Sequence, residues 1–289
     1  MPVLSHRAIR KGPRCLSRIA ICVFYCAAAG AQDPASQGQD ASFKATVNLV
    51  MLDISVTDAA GLPIPDLEKD NFEIKENGKR QTILRFERGE APISLALVFD
   101  YSASMKPYRR SLQVAAQALL SMLRPDDEAF LVVLSDKPFA LTEPASVETL
   151  LRQDTWREAL DKRAPAGRTP LHDALILASD MLSQSTLERR VIIALSDGAD
   201  NASNASLHDV VAKLYSSNEL LYCIGLFKPG DPDTKPGVLR KLAASTGGNT
   251  FFEPDANKLP QVLSRAVGDM RARYVLGFHA RDAEPGKIE

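Results

Sequence analysis

The sequence predicts an α/β protein: a doubly wound, mostly parallel sheet with helices on both faces, preceded by a small antiparallel β unit. Three observations predict it. Four short, nearly continuous apolar runs, Ile93–Asp100, Glu128–Ser135, Arg190–Asp197 and Leu220–Phe227, have the character of strands covered on both faces. Between them lie helix-length segments with apolar residues three or four apart, and strand–helix alternation is the signature of a parallel sheet. Upstream, period-two alternation and an Asn77-Gly78 dipeptide mark antiparallel strands.

The chain opens with a cationic stretch, Arg7, Arg10, Lys11, Arg14 and Arg18, with no acid before Asp33. The apolar run Ile19–Gly30 follows, well short of the ~20 residues a membrane-spanning helix needs. It ends in Ala29-Gly30-Ala31, an A-x-A pattern suited to signal-peptidase cleavage. Residues 1–31 therefore read as a signal peptide. The expectation is an exported protein, periplasmic, secreted or cell-surface, with no transmembrane segment in the mature chain. Residues 32–42, QDPASQGQDAS, are polar and aperiodic, a linker.

Composition, 45% hydrophobic and 25% charged, is that of an ordinary globular protein, and a net charge of −1 offers no basic excess for nucleic acid. Removal of the leader leaves 30 cations against 36 acids, a charge of −6 on 258 residues. Cys15, Cys22 and Cys26 leave with it. Cys223, in a strand expected to be buried, is then the only cysteine, which excludes an internal disulfide.

The small β unit spans residues 43–91. Val50, Leu52, Ile54 and Val56 alternate with mostly polar neighbours, and Asn77-Gly78 suits a type I′ hairpin between strand-like runs. Three such strands bury too little surface alone, so the unit must pack on the following domain or recruit another strand. Tyr274–His279, YVLGFH, within the closing segment 273–289, is the candidate. The unit contains no catalytic constellation and reads as structural.

The main domain spans residues 92–272. In Tyr108–Leu123, Leu112, Ala115, Leu119 and Leu123 recur at helical spacing, and Leu171–Leu182 and Leu207–Tyr215 are similar. Trp156, with Leu160 four residues on, reads as a packing residue of another helix. The segment Lys228–Gly237, rich in Pro and Gly, is a surface loop leaving a strand's carboxyl end. His172 and His208 show no zinc spacing and read as helix-surface residues. The sequons at Asn201 and Asn204 read as a polar loop.

In doubly wound sheets, ligands bind beyond the carboxyl ends of the strands where the strand order reverses. That rule singles out Asp100-Tyr101-Ser102-Ala103-Ser104 after the first apolar strand and Ser196-Asp197-Gly198 after the third. Two carboxylates and two hydroxyls converging from separate loops form a hard oxygen set. Mg²⁺ suits it, and Mn²⁺ or Ca²⁺ is also compatible.

These residues carry a resemblance. VFDYSASM resembles the Asp-x-Ser-x-Ser signature of the metal-ion-dependent adhesion site (MIDAS) in von Willebrand factor type A (VWFA) domains, and GRTPLHDAL and LSDGADN match the two later motifs in order. The resemblance covers about Ile93 to Arg271 and implies a Rossmann-like VWFA fold. It implies that Ser102 and Ser104 bind metal through their hydroxyls, that Thr169 adds an oxygen, and that Asp100 and Asp197 ligate directly or through water. Arg168 replaces a frequent Gly and adds a cation near the site. SVTDAAGLPIPDLEKDNFEIKENGKRQ and the closing YVLGF further resemble a group of exported VWFA-related proteins abundant in acidobacteria.

The expected function is a metal-dependent, adhesion-type module that binds a partner protein presenting an Asp or Glu carboxylate. By the same resemblance, movement of the final helix, from Lys258 to about Met270, couples metal-site geometry to affinity. Alternatives are a scaffold whose metal motif is vestigial and a metal-dependent hydrolase. The hydrolase is disfavoured: phosphotransferases with Asp at this strand end use Asp-x-Asp, and Ser102 stands where the general acid belongs. There is no G-x-S-x-G elbow, and none of His6, His172, His208 or His279 is assignable as a base. No enzymatic activity is expected.

Overall fold

Strand β1 (Leu49–Ser55) pairs antiparallel with β12 (Arg273–His279), the last strand of the chain, and β12 pairs on its other side with β4 (Arg85–Arg88). The computed structural model describes residues 49–58, 63–89, 91–153, 155–163, 165–228 and 230–279. The leader, the linker and the residues after His279 lie outside these. The chain divides into two units: residues 1–89 with 271–289, and residues 90–270.

In the first unit, the three-stranded β1-β12-β4 sheet is accompanied by a separate two-stranded hairpin of β2 (Ile74–Glu76) and β3 (Lys79–Gln81). Asn77 and Gly78 have φ of 49° and 75°. Two successive positive φ angles define a type I′ turn, which is why Asn-Gly is found there. The recruited strand supplies half the core: Tyr274, Leu276 and Phe278 alternate onto the face packed by Phe72, Ile74 and Ile83. The Tyr274 hydroxyl donates to the Ile64 carbonyl and accepts from the Leu67 amide, pinning the segment before β2. An ion pair between Arg273 and Asp53 adds a charged tie between β12 and β1.

The second unit explains why four strands are nearly continuous apolar runs. β5 (Ile93–Asp100) lies between β6 (Glu128–Leu134) and β9 (Arg189–Ser196), which continues to β10 (Glu219–Gly225) and β11 (Thr250–Phe252), all parallel. The short strands β7 (Phe139–Ala140) and β8 (Ala145–Ser146) pair antiparallel with β6. Every residue of β5 is buried. Leu95, Leu97 and Phe99 join one core, and Ala96 and Val98 the other, as a period of two requires when both faces are covered.

The first core is closed by α1 (Arg109–Met122), α2 (Val147–Gln153), α3 (Thr155–Asp161) and α7 (Leu259–Arg271). The second is closed by α4 (Leu171–Leu182), α5 (Leu207–Ser216) and α6 (Pro236–Ser245). α1 buries Leu112, Ala115, Ala116, Leu119 and Leu120, a stripe at helical spacing. Trp156 is buried in α3, its indole N–H donating to the Leu150 carbonyl at 3.3 Å. Strands added on either side of β5 put the reversal of strand order beside its carboxyl end.

Cys223 is buried in β10, and burial pushes its thiol up to about 12. At the opposite end of that strand Glu219 is buried beside Ser179 and Arg190. Burial raises its pKa from 4.5 to about 7, against the opposing pull of Ser179, Arg190 and Lys213. The folded state thus binds this proton more tightly than the unfolded state, and the residue's contribution to stability falls as pH rises from 4.5 to 7. Glu219→Gln should therefore stabilise the protein more at pH 8 than at pH 4.5, by on the order of 3 kcal/mol at most. Denaturant unfolding at both pH values checks this; an equal change at the two would contradict it.

Candidate metal centre

Asp100 ends β5 and is fully buried, so its carboxylate is held by donors from the protein. Its Oδ1 accepts the Ser102 amide at 3.0 Å, and its Oδ2 accepts the Ser196 hydroxyl at 2.7 Å. Ser196 in turn accepts the Gly198 amide at 3.0 Å. Gly198 has φ of 82°, and a Cβ there would lie 2.6 Å from the Lys235 carbonyl, so the loop after β9 requires glycine. The sequence marks the Ser196-Asp197-Gly198 segment but assigns a ligand role only to Asp197 within it. The place of Ser196 at the end of β9, level with Asp100 on the adjacent strand, is a property of sheet register.

Outward from Asp100, the hydroxyls of Ser102 and Ser104 lie 3.1 Å apart, and Ser104 donates to Asp197 Oδ2 at 2.8 Å. The other Asp197 oxygen accepts the Ala199 amide at 2.9 Å. Ser102 and Asp197 are buried and Ser104 is exposed, so this oxygen chain opens to solvent at Ser104. Lys235 donates its amide to the Asp197 carbonyl at 3.0 Å, which brings the loop after β10 to the site.

Thr169 arrives on a third loop, tied to both others through the backbone. Ala166 donates to the Tyr101 carbonyl at 3.1 Å and Ala103 to the Gly167 carbonyl at 3.3 Å. On the other side, Thr169 donates its amide to Asn201 Oδ1 at 2.8 Å, and the Asn201 amide returns to the Thr169 carbonyl at 3.0 Å. The Arg168 amide donates to Asp136 Oδ1 at 2.9 Å, and its guanidinium bonds the Asn201 carbonyl. Asn201 and Asp136 are further residues that the motif reading passed over. The DGADN segment contains Asn201 as a visible polar residue, but Asp136 has no sequence signal beyond lying after a strand.

The first turn of α4 is fastened to the loop after β9. Asp200 Oδ2 accepts the His172 amide at 2.8 Å and the Ser203 hydroxyl at 2.6 Å, and Asp173 Oδ1 accepts the Ala205 amide at 2.9 Å. The sequence predicts a surface position for His172. The structure instead leaves its side chain only 13% exposed, with Nδ1 3.1 Å from the Ala205 carbonyl, because this loop folds over the helix start. His208 is exposed, as the sequence predicts.

Burial raises the pKa of Asp100 from 3.8 to about 6, and the nearby charge of Asp197 adds to the rise against the hydrogen bonds from Ser102 and Ser196. Two carboxylates sharing a buried, oxygen-lined site are short of positive charge. Asp100, Ser102, Ser104 and Asp197, which hydrogen bonds bring together, fit a hard divalent cation by donor chemistry and by charge, and Thr169 is held on the adjoining loop through its backbone. Among the described residues there is no group of three or more His, Cys, Asp or Glu side chains suited to a metal. The site's donors are instead mostly hydroxyls.

Residues 95–199 match the sequence profile of the von Willebrand factor type A domain. Solved structures agree at the level of fold. Proximal thread matrix protein 1 from the mussel byssus, in a form with a zinc-occupied MIDAS motif, is 17% identical with a TM-score of 0.54, over 68% of this chain and 50% of that one. A von Willebrand factor type A protein from Catenulispora acidiphila is 18% identical with a TM-score of 0.51, over 68% of this chain and 51% of that one. The pilus adhesin SpaC from Lactobacillus rhamnosus GG, in its open conformation, is 13% identical with a TM-score of 0.52, over 62% of this chain and 30% of that one. The chain therefore contains a domain of von Willebrand factor type A fold. No curated protein sequence matches it.

Ser196→Ala removes one donor to Asp100 and leaves the buried Gly198 amide without an acceptor, which should cost about 1–3 kcal/mol of stability. Ser104→Ala, at the exposed end of the same chain of oxygens, should cost less than about 1 kcal/mol. Urea unfolding of the two variants tests the ranking.

Proposed function

We propose that this protein is an exported, divalent-cation-dependent binding module that takes an Asp or Glu carboxylate from a partner protein. The observation that carries this reading is the bonded series Ser102, Ser104 and Asp197, with Asp100 buried behind it and Ser104 facing solvent. Mg²⁺ is the proposed cation, held by Asp100, Ser102, Ser104, Thr169 and Asp197. When bound, it supplies an electrophilic position that accepts a carboxylate oxygen.

The residues of the chain prepare that position. Asp100 and Asp197 offset the charge of a divalent ion without exceeding it, and the hydroxyls add oxygen donors without adding charge. A third acid is left for the partner to provide. Ser196 and the Ser102 amide orient Asp100, while Asn201 and the Tyr101 and Gly167 carbonyls hold the three loops in register. The profile match over residues 95–199 supports a binding role, the cationic leader with its A-x-A end supports export, and the SVTDAAGLPIPDLEKDNFEIKENGKRQ segment with the closing YVLGF supports the acidobacterial grouping.

A hydrolytic role is not proposed. Ser102 stands where Asp-x-Asp chemistry needs an acid, and His172 is engaged by the Ala205 carbonyl and Asp200. No helix among the described residues is long and apolar enough to cross a membrane.

Mg²⁺ should raise the melting temperature of the wild-type protein in a saturable way that EDTA reverses, with about 2.7 kcal/mol of stabilisation at a hundred times Kd. Asp100→Asn and Ser102→Ala should abolish Mg²⁺ binding by calorimetry while far-UV circular dichroism stays unchanged. Unchanged metal affinity in those variants would sink the proposal in favour of a scaffold with a vestigial site. Pull-downs from the producing organism, with and without EDTA, should recover a partner only when the cation is present.

A further inference from the structure

Beside the metal centre lies a cavity of about 230 Å³ lined by Tyr101, Val133, Ser135, Asp136, Phe139, Arg163 and Ala166. It shares its loops with the candidate ligands: Tyr101 stands between Asp100 and Ser102, and Ala166 lies three residues before Thr169. We propose that this cavity is a side-chain subsite that receives the phenol ring of a tyrosine flanking the partner's metal-binding carboxylate. This inference rests on the carboxylate-accepting role proposed above and adds the identity of the neighbouring residue.

The walls are mixed, with carbon from Val133, Phe139 and Ala166 facing the polar groups of Ser135, Asp136 and Arg163, as an amphipathic ring requires. Tyr101 is 2% exposed, and its hydroxyl is anchored by the Arg109 Nε–H at 2.9 Å and by donation to the Leu160 carbonyl at 3.3 Å. Its hydroxyl is thus committed elsewhere. The Ala166 amide on the Tyr101 carbonyl, at 3.1 Å, holds the facing loop in place. Val133 is the next-to-last residue of β6, and Phe139 begins β7. The volume is below the ~300–1,000 Å³ of sites for drug-sized ligands and suits one side chain.

Charge selects which side chain. The Arg163 guanidinium lies over the Phe139 ring, 4.8 Å from its centroid, and a guanidinium stacked on one ring has a second face for another. Arg163 is exposed. Asp136 is also exposed and uses Oδ1 for the Arg168 amide, leaving a carboxylate acceptor, with Ser135 beside it. A charged occupant meets a like charge in either Arg163 or Asp136. A neutral aromatic ring with a single O–H donor is favoured by both.

The test uses p-cresol, the tyrosine side-chain analogue, titrated into ¹⁵N-labelled protein in EDTA and in Mg²⁺. Saturable shifts at the amides of Tyr101, Asp136, Phe139 and Ala166 are expected in both buffers, several-fold weaker with toluene. Ala166→Trp, which fills the exposed rim, should abolish them, and Arg163→Ala, which leaves the walls in place, should weaken them. In Mg²⁺, a peptide containing Asp-Tyr should then bind about tenfold tighter than its Asp-Ala counterpart, a gap of 1.4 kcal/mol, and the gap should close in Ala166→Trp. Absence of saturable cresol shifts overturns the inference. Equal affinity of the two peptides also overturns it, while leaving the metal reading intact. Cresol binding in EDTA without Mg²⁺-dependent binding of either peptide supports the cavity and overturns the metal reading instead.

Discussion

Asp100 places a carboxylate at the end of the central strand of the sheet, beyond the reach of water, and the groups that satisfy it organise the rest of the site. A buried charge of this kind is costly unless hydrogen-bonded and paired. The protein supplies the hydrogen bonds through the Ser102 amide from the following loop and the Ser196 hydroxyl from the adjacent strand. It leaves the charge only partly answered. Burial and the Asp197 carboxylate push Asp100 up to about 6, so the fold carries an electrostatic deficit that a cation removes.

The same arrangement sets the shape of the surface around it. Exposure rises from Asp100 through Ser102 to Ser104, and the loops bearing Thr169 and Asp197 are cross-tied by backbone bonds rather than by side chains alone. Backbone bonds from Ala103, Ala166 and Asn201 carry part of these ties, and the Asn201 and Asp136 side chains carry the rest. Arg168, Arg163, Asp136 and the cavity beside Tyr101 lie along the rim of this surface.

Much of the fold was legible in one dimension. Ile93–Asp100 and Leu171–Leu182 read from apolar pattern coincide with β5 and α4, since a strand covered on both faces and an amphipathic helix have unambiguous periods. The Asn77-Gly78 turn was legible for a stereochemical reason, its two positive φ angles. β7 and β8 were not, because two residues carry no period. His172 misled for a related reason: its helix position suggests a wet face, but the loop that covers it comes from residues about thirty positions on.

By itself, then, the sequence determined the long strands and helices, the recruited closing strand and the switch-point location, because each depends on local pattern or on a short motif. Only the tertiary structure decided that Ser196 reaches Asp100, that Asn201 holds Thr169, and that a cavity opens beside Tyr101. Those relations join residues distant along the chain, and their physical source is strand register and loop closure, which no local window of residues encodes.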